Sequence, residues 1–597
     1  MKNSAVALGV VLVLFGAGTA YPQSDSAAQF ATKAEATGYA ETATYDETIA
    51  NLRKLEQASD LIKLFPIGTT PQGRTMYLAV VSKDRAFTPE LAAAAGKVIV
   101  LVQSGIHAGE IDGKEATLAL LRDMLIAKKR AALLDNVILL VVPVFNVDGH
   151  ENASPYNRVN QIGPAKMGVR TTAQGYDLNR DFIKADAPEM KNWIRMFVAW
   201  RPHLLIDNHI TDGADFQYAI TYTISQHQNA PATVREWATT RFMPALTERL
   251  RRMGQEICPY VMFRGNDPTT GLRTYVDIGR FSTGYAAVHN RPGLLVEMHM
   301  LKDFRTRVQG NYDLMVAALE ELNAHPQSLI DAVRKAEAET ITGLTEAYPL
   351  RFRPANDSIL IDFLGYQFEN TQSEIAGTKW TQYDPQRPVT YRIPYFYKQT
   401  VADSVFVPRY YLIPQEWQEE IARLALHGVR LERLTGPLTA DVEMYRLTEP
   451  KWDPSSYAGR VRVSFKSETQ TRTRTFPAGT IVVSTRQRDA KAAVQLLEPK
   501  GPDSFVSWGF MNTVFERKNY IEDFAAERLA TQMLADDPQL GTEFEARLAA
   551  DSTFRNSPYQ RWLFFFDRSP YGEQDLYLYP IARLLNNVPM KTEPYIP

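Results

Sequence analysis

His107 and Glu110 stand three residues apart in Gln103-Ser104-Gly105-Ile106-His107-Ala108-Gly109-Glu110. An imidazole nitrogen and a carboxylate oxygen are both ordinary zinc ligands, and a catalytic zinc commonly takes three protein ligands and a water. The spacing alone arises by chance in many chains. Its place directly after the apolar run 98–102 singles it out, because small residues let the backbone turn sharply where it leaves a sheet. His209 is the candidate third ligand: it closes the apolar run Leu204-Leu205-Ile206-Asp207-Asn208-His209, whereas His203 opens that run and falls at the opposite edge. Glu297, in Gly293-Leu294-Leu295-Val296-Glu297-Met298, is a carboxylate set among large apolar residues. Burial there is expensive for the charged form and moves the pKa toward the range of a general base. In Gly175-Tyr176-Asp177-Leu178-Asn179-Arg180, a guanidinium beside an amide can grip a carboxylate through two parallel hydrogen bonds. Each feature also has a plainer reading: a strand-end histidine, a glutamate paired with a surface lysine, a surface arginine near a helix cap.

These side chains meet only if the elements carrying them end at one place. The continuous apolar runs 97–103, 137–144, 204–207 and 292–298 read as strands buried on both faces, and a helix over 112–129 between the first two makes a βαβ unit. Parallel neighbours present their ends at one carboxyl edge, where open α/β sheets bind ligands. Further helices are expected over 43–64, 188–200, 232–253, 312–324 and 327–342, and residues 67–74 turn into a hairpin strand at 75–81. Residues 149–174, rich in Asn, Pro and Gly, form a long irregular segment of the kind that usually carries function. Residues 348–358 read as a linker. Beyond it come short strands at 460–465, 471–476 and 480–484 and a strand-helix-strand unit over 410–434. The expected fold is α/β, a mixed, mostly parallel central sheet with helices on both faces, plus a C-terminal mixed α/β domain. The expected division is 1–20, 21–345 and 346–597, the last of unknown role.

With 597 residues and a net charge of -2 the chain has no basic balance to suggest nucleic acid. Lys2, the apolar stretch 5–15 and the small residues Gly18-Thr19-Ala20 read as a signal peptide over 1–20. That predicts an exported bacterial protein, periplasmic or secreted, with no stable membrane insertion after signal removal; an uncleaved anchor is the other reading. Cys258 is the single cysteine, so no internal disulfide can form and stability must come from core packing.

Taken in order, His-x-x-Glu after a strand, Asn146-x-Asp148-Gly149, Asp177-x-Asn179-Arg180, a strand-end His209 and a strand-borne Glu297 resemble the zinc carboxypeptidase family of the carboxypeptidase A type. The resemblance covers roughly residues 45–322, about the length of one domain. It implies a zinc-dependent enzyme that trims the C-terminal residue of a peptide. His107, Glu110 and His209 match the zinc ligands and Glu297 the base that activates the water. Asn179 and Arg180 match the pair that holds the substrate carboxylate, and Asp177 the acid that orients the first zinc histidine. The family's oxyanion arginine aligns with Gln161 in Asn157-Arg158-Val159-Asn160-Gln161, so Arg158 or Arg170 is the candidate for that role. Tyr275 is favoured over Tyr285 for the tyrosine that caps bound substrate. The residue that selects the substrate side chain falls near 276–290, where Asp277, Arg280 and Arg291 carry charge and Ser282, Thr283 and Gly284 do not. Alternatives are a zinc deacylase, a peptidoglycan-peptide hydrolase and a non-catalytic peptide-binding protein. No competing motif is present: His150-Glu151 lacks the second histidine of a zinc-protease helix, and there is no Gly-x-Ser-x-Gly elbow or phosphate-binding loop.

Overall fold

The computed structural model describes residues 29–344 and 347–597; the leader expected over 1–20 lies outside the described residues. An eight-stranded sheet is built from β1 (Ile62–Thr69), β2 (Thr75–Val81), β3 (Val98–Ser104), β4 (Val137–Val142), β5 (Leu204–Ile210), β6 (Ile220–Ile224), β7 (Ile257–Pro259) and β8 (Gly293–Met298). Its spatial order is β1-β2-β4-β3-β5-β8-β6-β7. The four middle strands β4, β3, β5 and β8 are mutually parallel, and every residue in them is buried. Unbroken apolar runs are what such doubly covered strands require. β1 and β2 are antiparallel at one edge; at the other, β6 runs antiparallel to β8.

Helices cover both faces, as the sequence predicts. On one face helices Asp112–Leu125 and Phe304–Ala324 approach so closely that a Cβ on Gly113 would lie 2.5 Å from Asn208 Cβ, and one on Gly310 2.6 Å from Met298 Cε. On the opposite face helices Pro188–Trp200 and Ser282–Val288 interlock through Trp193, Phe197 and Tyr285, with ring centroids 4.8–5.9 Å apart.

Several elements differ from the sequence expectation. The strands expected at 460–465 and 471–476 are one continuous strand, Val463–Phe476. The helix expected over 43–64 stops at Ala58; Ser59 is extended, and Ile62 and Leu64 are buried on either side of exposed Lys63, the alternation of a strand. Residues expected as a linker form strand Tyr348–Pro354, paired with Gln399–Val405. Residues 359–396, to which the sequence assigns no element, form a long hairpin, β9 (Ile359–Gln372) and β10 (Lys379–Phe396). The hairpin base buries Phe363, Ile393 and Tyr395 against Phe216, Tyr218, Cys258 and Leu272.

A second sheet, of seven strands between Tyr410 and Tyr595, fills most of the remaining chain. A helical cluster between Asp523 and Phe566 packs on its own small core. The main core is continuous across the 345/346 position and joins Trp193, Phe197 and Tyr285 to Leu424, Val483, Leu496 and Phe505. Among the described residues no helix is long and apolar enough to cross a membrane.

Candidate active site

From β3 the chain crosses to β4 on one side, and β5 then takes the other side of β3. Crossovers that leave in opposite directions open a crevice at the carboxyl ends of the strands. Gly105, at φ +66°, turns the chain off β3 into it. The Glu110 amide donates to His107 O at 2.8 Å, folding 107–110 into a tight turn. Gly109 must stay bare, since a Cβ there would lie 2.5 Å from Arg158 Cγ and 2.6 Å from Gly168 O.

The turn delivers His107 Nδ1 to within 3.0 Å of Glu110 Oε1, and β5 delivers His209 Nδ1 to within 3.1 Å of Glu110 Oε2. Ligand atoms of His107, Glu110 and His209 lie within 4.8 Å of one another, and all three residues are buried. The far nitrogen of each imidazole faces an acid: His107 Nε2 is 3.3 Å from Asp177 Oδ1, and His209 Nε2 is 2.9 Å from Asp207 Oδ2. Asp207 precedes His209 by two residues on one strand, so both side chains emerge on the same face. Burial works against charge here, yet the imidazoles and Arg158 outweigh it and hold the Glu110 carboxyl well below its ordinary range. Burial likewise disfavours a charged His209, but Asp207 and Glu110 hold that imidazole well above its ordinary range. A buried carboxylate held between two imidazoles, each backed by an acid, is a donor set suited to zinc.

Glu297 on β8 stands in register with His209 on β5, so the two share a face of the sheet. It is 8% exposed, and its Oε2 has no hydrogen-bond partner among the described residues. Burial, reinforced by the Glu110, Asp212 and Asp207 charges, pushes its pKa well up despite the opposing effect of His209.

Asp177 accepts from the Asn179 amide at 2.9 Å and starts a single helical turn that carries Asn179 and Arg180. Arg180 donates to Asn179 O at 2.7 Å and lies over the Phe281 ring at 4.7 Å, with no carboxylate partner among the described residues. Asn179 Oδ1 is buried and has no hydrogen-bond partner among the described residues. These groups meet in one cavity of about 90 Å³, lined by His107, Glu110, Asn179, Arg180, His209 and Glu297 among others.

The remaining candidates separate. Tyr275 lines the cavity, but Tyr285 is buried with its hydroxyl 2.9 Å from His427 Nδ1. Arg158 donates to Glu110 Oε1 at 2.5 Å and does not line the cavity; Arg170 does, while donating to Asp177 Oδ2 at 3.0 Å. Gln161 braces the loop, donating to Gly109 O at 3.0 Å. Of the charged specificity candidates only Asp277 lines the cavity; Arg280 pairs with Asp503 and Arg291 with Glu337. Sequence reasoning missed Asp212, Tyr260 and Phe281 as lining residues. It also missed Asp207, for which the two-residue strand spacing before His209 was a usable signal.

Comparison with known proteins gives a match to the family described as zinc carboxypeptidase over residues 48–248. The chain is 26% identical over 436 residues to carboxypeptidase 2 of Trichophyton tonsurans, covering 69% of this chain and 74% of that one. Against carboxypeptidase 2 of Trichophyton rubrum it is 25% identical over 495 residues, covering 78% and 84%. Among solved structures, carboxypeptidase A of Helicoverpa armigera is 17% identical with a TM-score of 0.35, covering 49% of this chain and 74% of that one.

Proposed function

We propose, from the match of residues 48–248 to the zinc carboxypeptidase family and from the His107, Glu110 and His209 donor set, how this chain, a metallocarboxypeptidase, divides the work of cutting the last peptide bond among its own residues. Zinc, when held by His107, Glu110 and His209, supplies a Lewis acid that polarises the scissile carbonyl and acidifies a water. Arg180 and Asn179 receive the terminal carboxylate of the peptide, since Arg180 is a guanidinium with no acid of its own inside the cavity. Glu297 takes the proton from the attacking water and passes it to the leaving amine. Asp177 and Asp207 fix the two imidazoles by hydrogen bonds to their outer nitrogens. Tyr275 stands at the cavity wall to cover bound substrate, and Arg158 or Arg170 steadies the charge that develops on the carbonyl oxygen. The chemistry belongs to residues 21–345, and 346–597 supports it.

The observation that carries this reading is the shared face of His209 and Glu297, with the free oxygen of Glu297 in the same cavity as Arg180. Glu297→Gln is expected to keep its zinc and lose roughly 10²–10⁴-fold in rate on a free-acid peptide. Near-normal hydrolysis by that variant sinks the assignment. A screen of peptides, acyl amino acids and muropeptides separates a carboxypeptidase from a deacylase or a peptidoglycan-peptide hydrolase. Zinc-loaded protein that cuts none of them is a binding protein. Export is part of the same reading and rests on Lys2 and the apolar stretch 5–15; N-terminal sequencing of protein recovered outside the cytoplasm tests it. The fungal origin of the relatives that match most of the chain lends its bacterial part no support.

A further inference from the structure

Two loops that wall the catalytic cavity run on into a second, larger space. After β5, Ile210 and Asp212 line the cavity, and Gly213, Ala214 and Asp215 line an open groove of about 780 Å³. After β7, Tyr260 lines the cavity, and Val261 and Phe263 line the groove. The far wall comes from the hairpin, through Trp380, Thr381, Gln382 and Tyr383 at the start of β10. All four residues lie outside residues 48–248, the stretch that matches the zinc carboxypeptidase family.

The hairpin is fixed in place. The Gln217 amide donates to Leu364 O at 3.0 Å and its side chain to Gly365 O at 2.7 Å. Lys302 donates to the Tyr366 hydroxyl at 3.1 Å, and Thr381 to Asn266 O at 3.2 Å. Trp380 is nevertheless 51% exposed, and Leu301 on the other side is 36% exposed. Large apolar side chains held rigidly in a concave surface are the usual anchors of a binding site. The acid in this groove is already partnered, with Asp215 3.0 Å from His299 Nε2.

We infer that the groove binds the residues of the substrate peptide upstream of the scissile bond and favours apolar and aromatic ones. The inference rests on the peptidase reading above and deepens it. With the terminal carboxylate at Arg180, a cavity of about 90 Å³ has room for little more than the last side chain, and the two shared loops lead from it to the groove. That groove, at about 780 Å³, is within the size range of ligand pockets. The C-terminal region thus contributes to substrate choice directly, through the wall it adds.

The test compares zinc-loaded, full-length protein on an N-acetyl dipeptide and on hexapeptides with the same last two residues, carrying either Leu and Phe or Ser and Gly upstream. The wild type is expected to favour the apolar hexapeptide over the acetyl dipeptide by at least tenfold in kcat/KM, mostly through KM. Trp380→Ala should lower that ratio about tenfold, and Trp380→Phe should keep most of it. Since the readout is a ratio within one protein, partial loss of folded enzyme does not move it. Calorimetric binding of the apolar hexapeptide to Glu297→Gln, with and without Trp380→Ala, should show the same tenfold loss. A ratio and an affinity both indifferent to Trp380 overturn the groove. If the wild type cuts neither substrate the activity reading falls, and the binding arm still decides the groove.

Discussion

Three arginines surround the metal centre, and their partners separate their roles. Arg158 pairs with Glu110 and Arg170 with Asp177; of the three, Arg180 alone has no acid partner among the described residues, which leaves it for the substrate carboxylate. Arg180→Ala should therefore lower kcat/KM on free-acid peptides about ten- to a hundredfold, the worth of one charged hydrogen-bonding group. It should also erase the preference for a free acid over the C-terminal amide. A variant that kept the full preference would show that the carboxylate is read elsewhere. A second residue acts on stability. Glu189 is buried at the start of helix Pro188–Trp200, and neither carboxylate oxygen has a hydrogen-bond partner among the described residues. Burial first, then the Asp148 and Asp181 charges, raise its pKa from 4.5 to about 7. The folded value lies above the unfolded one, so the fold loses stability as pH rises through that window and stays at the lower level above it. Glu189→Gln should remove a penalty on the order of 2–3 kcal/mol at pH 8 and gain nothing at pH 4. Denaturation midpoints of the two proteins at both pH values check the sign.

At the scale of elements, the loops that carry the pocket are held from outside the catalytic sheet. His427 donates to Ile183 O at 2.9 Å, and Arg423 donates to Lys184 O at 2.6 Å and to Ala185 O at 2.5 Å, just beyond the Asn179-Arg180 turn. Arg460 grips Asp186 with two bonds of 2.8 Å. On the other loop, Arg280 donates to Asp503 Oδ1 at 2.7 Å, three residues beyond Asp277. Asp503→Asn would leave a buried guanidinium without its acid, a change that costs about 3–5 kcal/mol when an ion pair is broken from one side. Its expected signature is a lower melting temperature with a raised KM and a nearly unchanged kcat; unaltered KM would show that the loop holds itself. This buttressing explains what the sequence could and could not reveal. The buried parallel strands are legible because double burial demands unbroken apolar runs, and the paired residues His107 and Glu110 or Asp177 and Arg180 are legible because they are local. The end of the helix at Ala58 is hard to read because Ile62 and Leu64 fit both a helical face and a strand, and the extended Ser59 decides between them. The 359–396 hairpin escaped because much of it is exposed and shows no clean alternation. Tyr260, Asp212 and Phe281 reach the cavity only through tertiary packing and leave no local mark.

The whole molecule has one main core, and the 345/346 position divides neither that core nor every sheet, since strand Leu272–Arg273 pairs with the hairpin at Tyr395 and Phe396. Ile421, Leu424, Val494, Leu497, Phe505 and Val506 from the C-terminal region are buried in the same cluster as Trp193, Phe197 and Tyr285 from the catalytic part. Polar contacts cross the seam as well. Asp489 accepts from Arg201 Nη2 at 3.0 Å and lies 3.1 Å from His289 Nδ1, and Lys491 donates to Asn290 Oδ1 at 2.8 Å. Uncovering six such apolar contacts at roughly 2 kcal/mol each amounts to about 12 kcal/mol, which is comparable to the entire net stability of a typical fold. The buried His289 and the half-buried Arg201 would in addition lose their acid. Residues 29–344 made alone are therefore expected to aggregate or remain protease-sensitive, and not to yield a soluble peptidase. The full-length chain should lose both catalytic activity and the fluorescence of Trp193 and Trp508, both fully buried, in one thermal transition. A soluble, zinc-binding fragment ending at 344 that cuts an N-acetyl dipeptide at the full-length rate would show the opposite. The catalytic half would then own its core, and the C-terminal region would act on substrate only through the groove it walls.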